Sequence, residues 1–130
     1  MILDKQLMFS ELQSGLTTSA ASTNYVDFGK AGDAYGQELY FVARVGTAFA
    51  NATSMSIDLQ ADDNTSFSSP DTIITSGAIA EADLKTNTIV FKTRIPKGCQ
   101  RYLRVYYTIV GTHNAGTIDA FLTPDVPQTI

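Results

Sequence analysis

The chain has no tryptophan, one cysteine, one histidine and four prolines in 130 residues. Each shortage removes a class of explanation. Cys99 has no second cysteine with which to close an internal disulfide, and with His113 alone no Cys/His cluster of zinc spacing can be written. A disulfide-built secreted scaffold is therefore excluded, and folding in a reducing compartment is expected. A Ser/His/Asp triad needs a histidine base held against an activated hydroxyl. His113 stands between Gly111 and Gly116 in what reads as a solvated hairpin turn, and no Gly-x-Ser-x-Gly elbow occurs. Cys99 follows Lys97-Gly98, whose charge favours the thiolate, but no base accompanies it, so it reads as a buried or incidental thiol.

Long apolar runs and an excess of positive charge are also missing. No window approaches the ~20 consecutive apolar residues of a membrane span. Asp4 and Lys5 interrupt the opening Met1-Ile2-Leu3, so a signal peptide is not expected and synthesis in the cytosol is. Nine basic residues against thirteen acidic ones leave a net charge of −4, without the basic footprint that nucleic-acid phosphates demand. The glycines at 29, 32 and 36 lack the Lys-Ser/Thr of a phosphate loop. Asp58, Asp62, Asp63, Asn64 and Asp71 lack the spaced oxygens, turn glycine and closing glutamate of a calcium loop. Asp62 and Asp63, adjacent in an expected loop, fit turn capping better than the paired acids of a glycosidase. No enzyme, cofactor or metal site is expected. His113→Ala and Cys99→Ser should leave function intact, each costing within ~0.5 kcal/mol where the side chain is solvated.

What the chain does have is period-two alternation. Leu39, Phe41, Ala43 and Val45 oppose Tyr40, Val42 and Arg44; Met55, Ile57, Leu59 and Ala61 oppose Ser56, Asp58 and Gln60. The pattern returns with Ile89, Phe91, Thr93 and Ile95, with Leu103, Val105, Tyr107 and Ile109, and with Ile118, Ala120 and Leu122. One face of each run belongs in a core and the other toward water or a partner. Shorter strands are expected at 6–9, 24–28 and 72–75, and one helical turn at 80–84. Turn signals at 51–52, 62–64, 69–71, 76–77, 96–98 and 113–116 divide the runs. The whole, 1–130, reads as a single all-β domain, a jelly-roll-like antiparallel β-sandwich of about eight strands. Only the proline-bearing stretch from Pro124 to Gln128 is unsuited to a ladder.

Two segments stand out as candidate partner-binding surfaces. The stretch from Met1 to Phe9 concentrates Ile2, Leu3, Leu7, Met8 and Phe9 where a chain normally frays unless docked. Its alternative is a strand of the protein's own sheet, from Leu7 to Phe9. Lys92, Arg94, Lys97, Arg101 and Arg104 bring together five of the nine basic residues. Around Arg101-Tyr102-Leu103-Arg104-Val105-Tyr106-Tyr107, Arg and Tyr alternate with apolar positions, a composition favoured at protein interfaces. A partly covered sandwich face held by cation–π contacts is the alternative. If Arg94 and Lys97 meet carboxylates of a partner, changing both to Glu weakens binding strongly. On the same reading, replacing Asp62 and Asp63 by Ala barely matters.

Several segments, in order, resemble one family. They are Met1-Ile2-Leu3-Asp4-Lys5-Gln6-Leu7-Met8-Phe9-Ser10, Ser19-Ala20-Ala21-Ser22-Thr23-Asn24, Asp27-Phe28-Gly29 and Val45-Gly46-Thr47-Ala48-Phe49. They continue through Leu59-Gln60, Asp62-Asp63, Phe67-Ser68, Ser76-Gly77-Ala78-Ile79 and Arg94-Ile95-Pro96-Lys97-Gly98, closing with Arg101-Tyr102-Leu103-Arg104-Val105 and Tyr107-Thr108-Ile109-Val110-Gly111. The series resembles the small capsid cement (decoration) proteins of tailed bacteriophages, of the type first described in a Bordetella phage. Cys99 is not part of that pattern.

The resemblance implies a jelly-roll sandwich on the exterior of an icosahedral head, made in the host cytoplasm. There it would bind neighbouring copies of the major capsid protein and stabilise the assembled lattice by mass action. It implies no catalytic residues. A symmetric homo-oligomer, dimer or trimer, is expected of a protein seated near symmetry axes. The competing function is a carbohydrate-binding jelly-roll module, disfavoured by the missing Trp. A small enzyme of unfamiliar type is disfavoured by the missing acid and base partners.

Overall fold

The structure is a computed structural model that describes residues 8–14, 19–27, 40–95 and 101–123. Among the described residues seven strands follow in order: β1 (Met8–Gln13), β2 (Ala20–Ala21), β3 (Val26–Asp27), β4 (Tyr40–Asp62), β5 (Asp71–Ala80), β6 (Thr88–Arg94) and β7 (Tyr102–Thr123). The helical turn expected at 80–84 is a 3₁₀ turn, Glu81–Asp83.

Two strands dominate. β4 has 23 residues and β7 has 22, and they pair antiparallel from Tyr40↔Thr123 to Asp62↔Tyr102. A straight strand of that length would extend roughly 75 Å, several times the radius of a domain this size, so the ribbon must bend. The bend lies between Val45 and Ser54, where successive register shifts interrupt the β4–β7 ladder. Such irregularities are how one strand passes from one sheet to another. On one side of the bend the order is β6–β4–β7–β1; on the other, β5–β4–β7 continues onto β2 and β3. The result is an all-β sandwich whose two sheets are joined by one wrapped ribbon, in the jelly-roll manner.

This corrects the strand divisions read from sequence. The turn signals at 51–52 and 113–116 lie inside β4 and β7. They mark the bend. Gly111 (φ 93°) and Gly116 (φ 128°) adopt backbone conformations closed to most L-residues. A Cβ at Gly116 would sit 2.4 Å from Phe49 Cδ2, so only glycine lets the strand pass that ring. The signal at 76–77 likewise lies within β5, near a register shift against β4.

The alternation holds in β4 and β7, whose inward residues share one core, but a register shift divides the row expected in β6, leaving Phe91 and Ile95 against that core and Ile89 in a separate cluster. Phe41, Ala43, Val45, Met55, Ile57, Leu59 and Ala61 from β4 meet Leu103, Val105, Tyr107, Ile109, Ile118, Ala120 and Leu122 from β7. β7 changes the parity of its inward residues between Ile109 and Ile118, which is why its two runs look like separate strands in sequence. Phe9, Phe41 and Phe91 form an edge-to-face series with centroids 5.8 Å apart at each step. The fully buried Phe9 and Phe41 contribute about 1.5–3 kcal/mol each, and Phe91 is partly buried against them. A polar chain crosses this interior. Tyr107 is fully buried, and burial pushes its phenol above the ordinary range, so it stays a donor. It donates to Ser10 Oγ at 2.8 Å, because Ser10 spends its own proton on Gln13 Oε1 at 2.5 Å. That pins β1, in the first sheet, to the second.

Val42 departs from the expected pattern. It points away from the main core yet is fully buried, with Met8, Phe121 and the partly buried Ile89, in a second cluster on the outer face of the first sheet. An outward position on this face is not a wet one.

Candidate functional site

Even-numbered residues of β7 face outward on the second sheet, opposite even-numbered residues of β4. The pairs are Tyr102↔Asp62, Arg104↔Gln60 and Tyr106↔Asp58. β3 extends the row with Asp27↔Tyr102. Tyr25, just before β3, is 46% exposed, and its ring meets Tyr102 edge to face at 5.5 Å and Phe67 at 6.2 Å.

Phe67 reaches this corner through a specific loop. Its φ of 49° is left-handed, an uncommon conformation for an aromatic residue. Asp62, buried at the end of β4, holds the loop by accepting the Asp63 amide at 2.6 Å on Oδ1 and the Ser69 amide at 3.1 Å on Oδ2. Desolvation raises its pKa, but the hydrogen bonds outweigh this and hold the carboxyl below its usual value. Asn64 Oδ1 accepts from the Ser66 amide and hydroxyl. The capping role expected of this acidic pair thus falls to Asp62, whereas Asp63 is exposed.

The loop sets Phe67 against Arg104, whose guanidinium carbon is 4.6 Å from the Phe67 centroid and 5.5 Å from that of Tyr106. Arg104 Nε donates to Gln60 Oε1 at 2.9 Å. Burial lowers the Arg104 pKa from the ordinary arginine value, opposed by Tyr106 and Asp62. Arg101 differs. It makes a two-pronged pair with Asp27, at 2.9 and 3.2 Å, that raises its pKa, and it also lies 5.0 Å from the Tyr102 centroid.

The candidate residues therefore do not form one surface. Arg94 stands on the first sheet, exposed, 5.9 Å from the Tyr40 centroid. Arg101 and Arg104 stand on the second. Phe9 is fully buried against Phe41 and belongs to the core, as the own-sheet alternative for this stretch has it. Ile2, Leu3, Leu7, Lys97 and Cys99 lie outside the described residues. Tyr25, Gln60 and Phe67 were not singled out from sequence. Phe67 sits in a serine-rich loop with no periodicity, and only its conformation brings it to Arg104.

His113 is a correction. The turn reading made it solvated; it is 1% exposed inside β7. Its ring lies 4.8 Å from Phe49, and Nδ1 is 2.7 Å from Glu81 Oε1. The pair ties the bend of the ribbon to the 3₁₀ turn, whose Leu84 carbonyl accepts the Phe49 amide at 3.2 Å. A structural role follows from that burial. Among the described residues no group of three or more His, Cys, Asp or Glu could hold a metal ion, and no helix is long and apolar enough to cross a membrane.

A comparison with curated proteins finds no match. Residues 9–122, most of the chain and all but one residue at either end of the β1-to-β7 framework, match the family model described as Bbp16. The chain belongs to the Bbp16 family.

Proposed function

We propose that this protein is a bacteriophage virion component, a capsid cement protein that binds the outer surface of the assembled head and stabilises contacts between major capsid protein subunits. The observation that carries the reading is the family match across 9–122, whose name agrees with the Bordetella-phage resemblance of the ordered sequence segments. The surface chemistry supports it. Tyr25, Tyr102, Tyr106 and Arg104 gather, on the outer face of one sheet, the residue types that dominate protein-binding hot spots. A cement protein needs such a face on an inert scaffold, and no catalysis, cofactor, nucleic acid or membrane enters its work. Binding to assembled lattice in preference to free subunits stabilises the lattice by mass action. The protein acts there as a homo-oligomer, dimer or trimer.

The carbohydrate-binding alternative has one observation in its favour, the exposed ring of Tyr25. Tyr25 and Tyr102 meet at 84°, however, so the two rings do not make one flat stacking surface.

The test is abundance in purified particles. A cement protein is present in stoichiometric ratio to the major capsid protein and leaves the head when contacts are weakened by salt or denaturant. Its absence from purified particles would refute the assignment.

A further inference from the structure

Arg44 holds Asp119 and Arg101 holds Asp27, each at 2.9 Å. Among the described residues Arg104 holds no carboxylate. Asp62, the acidic group close enough to act on it electrostatically, already has its two oxygens on the amides of Asp63 and Ser69. A guanidinium carries five N–H donors in a fixed planar fork. One of these, on Nε, is spent on Gln60; among the described residues the Nη1 and Nη2 hydrogens meet no acceptor. Phe67 and Tyr106 meanwhile hold the group in place. Ordering a long side chain is ordinarily a cost met on binding. Here the free protein has already met it, through an otherwise unfavourable left-handed Phe67 and a loop fixed by Asp62.

We infer that Arg104 is a docking anchor that receives, end-on through Nη1 and Nη2, a carboxylate side chain of a partner protein. The inference rests on the shell-binding reading above, which makes the partner residue an Asp or Glu of a capsid subunit. The surroundings select that occupant. Asp27 is committed to Arg101, and Asp62 to the Asp63 and Ser69 amides, so among the described residues no carboxylate takes the remaining donors of Arg104. A lone carboxylate meets one guanidinium with aromatic rings beside it, and Arg matches it in a planar two-bond geometry that Lys lacks. Tyr25 and Tyr102 supply the neighbouring rim that excludes water around such a contact.

The experiment is co-sedimentation with phage heads assembled without this protein, at low and moderate salt. The variants are Arg104→Gln, Arg104→Lys and, as a charge-matched control on the exposed residue after the 3₁₀ turn, Lys85→Gln. Arg104→Gln should weaken binding at least tenfold. Arg104→Lys should lose most of the same affinity, because it keeps the charge and loses the fork, while Lys85→Gln stays within twofold. Converting the carboxylates of the head surface to amides should abolish the difference between wild type and Arg104→Gln. Thermal unfolding checks each variant, and Arg104→Lys carries the test if Arg104→Gln fails to fold. Wild-type affinity in the Arg104 variants, or a difference that survives amidation, overturns the anchor. Heads that take up no wild-type protein contradict the shell-binding reading itself, and the anchor with it.

Discussion

The outer faces of the two sheets are made by the same two strands, yet they differ in kind. On the first sheet Val42, Phe121 and Met8 are buried, and Arg44 is committed to Asp119. On the second, Tyr25 is exposed, Tyr102, Arg104 and Tyr106 are half-buried, and Arg104 has unspent donors. One strand thus carries a buried outer face along half its length and a more open one along the other. The bend at residues 45–54 separates them. The lesson concerns alternation. A period of two says which residues share a face, and the covering layer decides what that face is for.

The largest expected effect breaks the first face. Phe121→Ala, at a fully buried site, should cost about 3–5 kcal/mol in denaturant unfolding. A cost under about 1 kcal/mol would mean that this face is as open as the other. His113→Ala comes next, at about 2–4 kcal/mol, from the cavity beside Phe49 and the loss of the Glu81 contact. This reverses the near-neutral effect expected of a solvated turn. Asp119→Ala should cost about 1–3 kcal/mol by stripping Arg44 of its carboxylate.

The second face responds to pH through its supporting loop. Asp62 has a folded-state pKa below the ordinary carboxylate value. Its contribution to stability is therefore present above about pH 4, the unfolded-state carboxylate range, and is lost as pH falls through the lower folded value. Asp62→Asn should lower Tm at pH 7 and flatten the fall of Tm below pH 4; an unchanged acid limb would contradict this. Replacing Asp62 also loosens Phe67 from Arg104. The Asp62/Asp63 double alanine variant is therefore no neutral control for binding, and Asp63→Ala alone, an exposed change worth within ~0.5 kcal/mol, is. The smallest effect on stability should be Tyr25→Ala, under about 1 kcal/mol, with the loss showing in head binding instead.

Much of this was legible in the sequence. The inward sets of β4 and β7 follow from hydrophobic alternation, because burial acts on every second residue and leaves a local record. The bend was not legible. Gly111, Asn114 and Gly116 carry the chemistry of a turn, and the same left-handed glycines serve a bulged, continuing strand. His113 was misplaced with them. At the site, composition pointed to Arg101 and Arg104 together. What divides them is tertiary: Asp27 lies on another strand, and Phe67 arrives through a strained loop. No local pattern records such pairings.

The most direct test is hydrogen–deuterium exchange of the protein free and bound to heads assembled without it. The account predicts new protection in residues 24–27 and 63–69, around Tyr25 and Phe67, with little change at 118–123, already paired inside the sandwich. Protection confined to β6 and β1, with the Tyr25–Phe67 corner exchanging as in the free protein, would contradict it.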